Sequence, residues 1–278
     1  MKIQYLGTAA AEGIPAIFCE CETCVEARRR GGRDIRTRSQ AIIDDTLLID
    51  FPADTYMHFL KYNIPLSKIK SCLRTHSHED HLYPGDFEMR IDGFSHIKDK
   101  KSFVVYSDES GFNMTNEIIE KMQAKENELK AVRIKPFEAF TVKGGYNVMP
   151  IRASHDPKSS PVLFVIEKDG KSIFYANDSS EYNDESMACL RSIKKPIDLI
   201  SLDCTEANGD TTYVGHLCFK RCVALRDRLI EEGIAEKNTR FVLNHFSHNG
   251  IDVLYDDFRK IAEKEGFGVT YDGLTIEI

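Results

Sequence analysis

Thr75-His76-Ser77-His78-Glu79-Asp80-His81 is the stretch on which the reading of this chain turns. Three of the nine histidines and one aspartate fall within it as His-x-His-x-Asp-His. The motif begins where an apolar strand pattern over 69–74 ends, so it is expected on a loop at a sheet edge, where α/β folds place their chemistry. Neutral imidazole and carboxylate are ligands for Zn²⁺, Mn²⁺ or Fe²⁺. In a local turn, His76 and His78 can face one metal while Asp80 and His81 face a second. A solvated polar loop is the competing explanation, and four such groups at this spacing weigh heavily against it.

Two metals need more ligands than one loop supplies. Three further candidates each follow a strand pattern: His155 after Tyr146–Ala153, Asp178 after Ser172–Ala176, and His245 after Phe241-Val242-Leu243-Asn244. A single histidine at a strand end is more often a surface residue. The argument lies in the recurrence of one order, strand and then ligand.

Working outward, strand patterns cover 2–6 and 40–50, the latter as two short strands around a turn at Asp44-Asp45. A helix is expected over 53–62, strands at 69–74 and 103–107, and a polar helix over 111–128. Strands follow at 130–135, 139–143, 146–152, 161–167 and 171–176, the last two joined by the hairpin signal Asp169-Gly170. Helices over 183–193, 216–232 and 251–264 then alternate with strands at 197–203, 239–244 and 267–271, and 274–278 closes the chain. Hairpins early and alternation later fit two sheets face to face with helices outside; periodicity alone supports only α/β or α+β, in one domain over 1–278.

Hydrophobic residues make up 42% and charged residues 29% of 278, enough apolar material for a core without disulfides. No apolar run approaches the ~20 residues of a membrane span. The opening Met-Lys-Ile-Gln-Tyr-Leu-Gly lacks an apolar signal region, so a cytoplasmic location is expected. The net charge of −7 argues against nucleic-acid binding through bulk positive charge.

The ligand pattern resembles the metallo-β-lactamase fold superfamily. The His76–His81 loop looks like its second motif, Asp50 at the end of Leu47-Leu48-Ile49-Asp50 like its first, and His155, Asp178 and His245 like its third, fourth and fifth. The resemblance spans nearly the whole chain. It implies a four-layer αββα sandwich with two divalent metals, Zn²⁺ or Mn²⁺, in a groove at the sheet edges. His76, His78 and His155 would hold one metal and Asp80, His81 and His245 the other, with Asp178 bridging them. Asp50 would orient a ligand or loop through hydrogen bonds.

Cys19-Glu20-Cys21-Glu22-Thr23-Cys24 offers three thiolates in six residues. A closed structural zinc site takes four ligands, and His248, three residues after His245, is a candidate for the fourth. Reduced surface thiols are the alternative, but clustered exposed thiols are prone to oxidation. Cys72, Cys189, Cys204, Cys218 and Cys222 read as buried small hydrophobes. The cysteine cluster with His245-Phe246-Ser247-His248 is similar to the PhnP-type phosphodiesterase branch that accompanies carbon–phosphorus lyase. That likeness implies one structural Zn²⁺ at Cys19, Cys21, Cys24 and His248. It also implies that His216, in Tyr213-Val214-Gly215-His216, contacts phosphate or protonates the leaving oxygen. His58 is read as a helix surface residue, and His96 is left unassigned.

The implied activity is hydrolysis of small or cyclic phosphodiesters by hydroxide held between two metals, with Asp80 and His216 as the catalytic residues. An RNA-processing nuclease, a thioester or lactam hydrolase, and a non-catalytic binding protein of cofactor biosynthesis are the alternatives. The charged stretch 83–101, and Asn177 where a hydroxyl residue is common, depart from the branch and leave the substrate open. The apolar residues near 82–94 offer either a substrate wall or a homodimer surface. Arg28, Arg29, Arg30, Arg33, Arg36 and Arg38 offer forks for phosphate or a solvated face beside the cysteine loop.

Overall fold

The computed structural model describes residues 1–99, 101–156, 159–210 and 214–278. Tyr213 of the Gly-His motif and Lys100 of the charged stretch lie outside them. The chain enters through β1 (Lys2–Gly7) and a loop that carries the cysteines into α1 (Glu22–Arg30). Then come β2 (Gln40–Ile43), β3 (Leu47–Ile49), α2 (Thr55–Tyr62), β4 (Ser71–Leu73), β5 (Phe103–Ser107), α3 (Glu109–Met122) and β6 (Leu129–Arg133). A second series follows: β7 (Phe140–Val142), β8 (Tyr146–Arg152), β9 (Val162–Lys168), β10 (Lys171–Ala176), α4 (Asp184–Arg191) and β11 (Leu199–Asp203). The chain finishes with α5 (Phe219–Glu231), β12 (Arg240–Asn244), α6 (Tyr255–Ala262), β13 (Phe267–Val269) and β14 (Thr275–Glu277).

The strands form two seven-stranded sheets, ordered β14-β1-β2-β3-β4-β5-β6 and β13-β12-β11-β10-β9-β8-β7. Each is antiparallel on one side and parallel on the other, with β3 to β6 and β10 to β13 as the parallel runs. Ile3, Tyr5, Ile43 and Ile49 of the first sheet pack against Val148, Phe164, Ile166 and Tyr175 of the second. Outside the second sheet, Met187 and Leu190 of α4, Leu225 and Leu229 of α5 and Phe258 of α6 close a second core. Outside the first, Ile69, Phe87 and Val105 pack under Met114 and Ile118 of α3. The result is the αββα sandwich. Among the described residues, no helix is long and apolar enough to cross a membrane.

Three local features differ from the sequence reading. Helix α1 was not expected, because its three consecutive arginines read as a solvated face. It forms because the Cys21 sulfur accepts from Cys24 N, Glu22 sits in the first turn and Arg28, Arg29 and Arg30 in the last, which suits the helix dipole. Helix α3 stops at Met122 rather than 128. Gln123 takes a left-handed conformation, and the Glu128 carboxylate accepts from Lys125 N (2.7 Å) and Asp92 N (2.9 Å), closing a separate turn. His58 is not a surface residue. It is fully buried, with Nδ1 2.6 Å from Gln40 Oε1 and Nε2 2.7 Å from Thr37 Oγ1. His96 is exposed.

Candidate metal centre

Strand direction explains why ligands from distant parts of the sequence meet. β3 and β4 run parallel, β10, β11 and β12 run parallel, and β8 lies two antiparallel pairings from β10, so it shares their direction. The C-terminal ends of these strands lie on one rim. Asp50, the His76–His81 loop, His155, Asp178, Asp203 and His245 follow them. Asp50, Asp178 and His245 all have positive φ, 64°, 56° and 64°. A left-handed residue turns the chain sharply off the strand. For a residue other than glycine it is a strained state of the kind that collects at functional sites.

The side chains converge in two overlapping groups. His76 Nε2 lies 3.0 Å from His78 Nδ1, which lies 3.3 Å from His155 Nε2. His81 Nε2 lies 3.2 Å from Asp80 Oδ2, and His245 Nε2 lies 4.0 Å from the same oxygen. Asp178 reaches both imidazoles of the second group, with Oδ2 3.0 Å from His81 Nε2 and Oδ1 3.0 Å from His245 Nε2. His81 Nε2, Asp178 Oδ2 and His245 Nε2 are buried, and among the described residues they lie at ion-pair distance from one another's side chains without an aligned hydrogen bond. Leaving such atoms unmet costs about 1–3 kcal/mol each. Lone pairs stranded together in this way are what a cation requires, and the donor set suits a divalent ion.

Burial, and then the neighbouring His81, push His76 well below the usual imidazole range, and burial also lowers His155. Burial opposes ionisation of Asp178 and Asp80, but the adjacent His245 and His81 outweigh it and hold both carboxyls below their usual range.

A buried layer behind the ligands fixes their orientation. Asp50 accepts from Thr75 N (2.8 Å) and lies 2.7 Å from His81 Nδ1. Asp203, absent from the sequence reading, lies 2.8 Å from His216 Nδ1 and accepts from Asp178 N (3.0 Å) and Leu217 N (3.0 Å). Thr205 Oγ1 lies 2.8 Å from His245 Nδ1. Asp203 had a signal in the sequence, because it ends the apolar strand Leu199–Asp203 as Asp178 follows its own. Thr205 had none. Burial lowers His216, but the charge of Asp203 and its hydrogen bond more than offset this, to about 9. His216 stands on the loop before α5 with its ring 4.8 Å from that of His155. With Glu12, Glu206 and Asn249 it lines a cavity of about 310 Å³ over the cluster.

The second group of candidates also comes together. Ligand atoms of Cys19, Cys21, Cys24 and His248 lie within 4.8 Å of one another. His248 Nδ1 is 3.6 Å from Cys19 Sγ and 3.5 Å from Cys21 Sγ. Ala16 N donates to Cys24 Sγ (3.2 Å) and Cys24 N to Cys21 Sγ (3.5 Å). His248 and the Cys24 amide lower the Cys21 thiol to about 6. Four N/S donors with amides already turned towards sulfur suit a closed zinc site.

The arginine cluster is not a plain solvated face. Arg28 donates to Cys19 O, Arg29 and Arg30 to Glu26, and Arg33 lies over the Tyr271 ring. Arg36 is buried, donating to Thr8 Oγ1 and Thr270 O. Arg38 lines a cavity beside the His/Asp cluster.

The family model described as "Beta-lactamase superfamily domain" matches residues 47–246. A search of the curated proteins finds no match. Among solved structures, a diphosphatase from the PhnP family aligns at TM-score 0.76 and 22% identity, over 100% of this chain and 97% of that one. Zinc-bound PqqB from Methylobacterium extorquens aligns at 0.71 and 20%, over 100% of both chains. The short form of human tRNase Z aligns at 0.65 and 14%, over 100% and 99%.

Proposed function

This chain belongs to the β-lactamase superfamily domain family, and from that premise we propose that it is a divalent-metal-dependent phosphodiesterase acting on small or cyclic phosphodiesters. The observation that carries the reading is the Asp203–His216 pair, whose ligand-type atoms lie within 4.8 Å of those of Asp178 and His245. A hydrolase of an ester with a poor leaving group needs an acid at that position.

His76, His78 and His155 would hold one cation, Asp80, His81 and His245 a second, and Asp178 would lie between them. Such cations, Zn²⁺ or Mn²⁺, lower the pKa of water towards neutrality and neutralise charge on phosphate oxygens. Asp80 lines the cavity and accepts a hydrogen bond from the attacking water, aligning it with phosphorus. Asp203 accepts a hydrogen bond from His216 Nδ1 and so turns Nε2 to the substrate, where Nε2 gives its proton to the departing alkoxide. Asp50 holds His81 from behind. A structural Zn²⁺ at Cys19, Cys21, Cys24 and His248 would fix the loop that brings Ala10, Ala11 and Glu12 to the cavity. The diphosphatase and tRNase Z among the similar folds are named for phosphorus chemistry, in keeping with this reading. A binding protein without catalysis has no use for an acid pair at the cavity wall.

The test is hydrolysis of bis(p-nitrophenyl) phosphate by metal-stripped protein before and after addition of Mn²⁺ or Zn²⁺. Turnover restored by metal is expected. No turnover with either metal overturns the phosphodiesterase reading and moves the weight to thioesters.

A further inference from the structure

Two cavities meet over the metal cluster, and their walls differ. Ala11, His78 and Asp80 line both. On the His216 side lies the cavity of about 310 Å³. On the other side of the metal loop, a cavity of about 610 Å³ is walled by Arg38, Ser77, Glu79 and Tyr83. If His216 protonates the leaving group, the portion that keeps the phosphorus extends towards Arg38.

Arg38 is held more firmly than a surface arginine needs to be. Its backbone N donates to Asp54 Oδ2 (2.9 Å) and its Nε to Ala11 O (2.8 Å). The neighbouring Thr37 donates from its backbone N to Asp272 Oδ2 (2.7 Å), and its Oγ1 lies against buried His58. Strand β1 closes on the Arg38 carbonyl so tightly that a Cβ at Gly7 would lie 2.0 Å from it. Asp54 meets Nη1 only at 3.3–3.4 Å. Among the described residues, no hydrogen bond occupies Nη2. A long, flexible side chain ordinarily loses entropy on binding. Here the stem is already fixed, and a free part of the fork faces the cavity. Asp54 and Glu79 temper the local charge, so the wall does not attract anions in bulk. It offers one directional donor.

We propose that Arg38 is a specificity-determining residue that binds a second anionic group, phosphate or carboxylate, on the retained half of the substrate. The guanidinium fork matches either anion, and the exposed Tyr83 ring lines the same cavity. This inference rests on the phosphodiesterase reading for its direction and its kinetic test, and the calorimetric test is independent of it.

The probes are thymidine 5′-(p-nitrophenyl phosphate) and its 3′-phosphate and 3′-hemisuccinate derivatives, which share one leaving group. With metal-loaded wild type, kcat/KM should rise about tenfold with either 3′-anion, the size of one charge-assisted hydrogen bond. The ratio should fall to near one in Arg38→Met and recover in part in Arg38→Lys. A gain with only one of the two anions names which one the site takes. No gain with either, or a ratio unchanged in Arg38→Met, overturns the proposal. Calorimetric binding of thymidine 3′,5′-bisphosphate against thymidine 5′-monophosphate separates this from failure of the activity itself. A preference for the bisphosphate that Arg38→Met abolishes sustains the role of Arg38 even without turnover, and equal affinities in wild type remove it.

Discussion

The His/Asp centre and the cysteine cluster hold their ligand atoms at similar spacings, within 4.8 Å in each group, yet they are built in opposite ways. The centre draws ligands from four strand ends scattered between His76 and His245. It opens onto a cavity, and among the described residues three of its buried ligand atoms make no hydrogen bond. The cluster takes three ligands from six consecutive residues and one from His248, and protein amides already donate to its sulfurs. Reactive metal sites keep open positions, whereas structural ones are closed. On the proposed reading the centre serves chemistry and the cluster holds the segment 10–24 against the loop 245–249.

The largest effect that would break this contrast is on turnover. Asp80→Ala should lower metal-dependent hydrolysis by about three orders of magnitude, the several kcal/mol that a metal site supplies, with the thermal midpoint little changed. Near wild-type turnover would remove the assigned role. Next in size is the acid pair. His216→Ala and Asp203→Asn should each slow an alkyl phosphodiester by about 10²-fold or more and a p-nitrophenyl ester far less, because p-nitrophenolate leaves without a proton. Equal losses on both substrates would make the pair a packing feature.

The same contrast explains what could be read from the sequence. The cysteine cluster is local, so its spacing exposes it. His76, His78, Asp80 and His81 are equally local. His155, Asp178 and His245 were legible because each follows an apolar strand of ordinary period. Asp203 obeyed the same rule and was passed over, since a lone aspartate after a strand also fits a turn. Thr75 and Thr205 act through single hydroxyls, which leave no pattern. His58 was misread because its partners Gln40 and Thr37 come from a distant stretch, which no helical period exposes. Among the elements, α1 was missed because its stability comes from a sulfur cap and dipole-matched charges rather than an apolar stripe.

On the side of the cluster, Cys21→Ser should release about one zinc per chain and lower the thermal midpoint by several degrees. It should leave the metals of the centre in place. Unchanged zinc content would dissolve the contrast from the structural end, and loss of all metal together would show that the two regions form one unit.

The smallest effect concerns the buried support behind the centre. Burial holds His58 at about 4, well below the ordinary imidazole value of 6.5, with Asp54 opposing and Lys61 assisting. The unfolded chain therefore takes up a proton near pH 6.5 that the folded chain refuses until about pH 4. Stability from this residue is complete above pH 6.5 and is lost as the pH falls through that window. The loss should be roughly 2 kcal/mol between pH 6.5 and 5. The His58→Gln variant has no titrating ring, so it should start less stable and show a shallower decline over the same range in urea melts. Gln40 joins His58 to the carbonyl of Asp50, and the Asp50 carboxylate supports His81. If the centre depends on that support, acid should loosen metal at His81 sooner in wild type than in His58→Gln. Parallel pH curves for the two proteins would detach the buried layer from the centre it underlies.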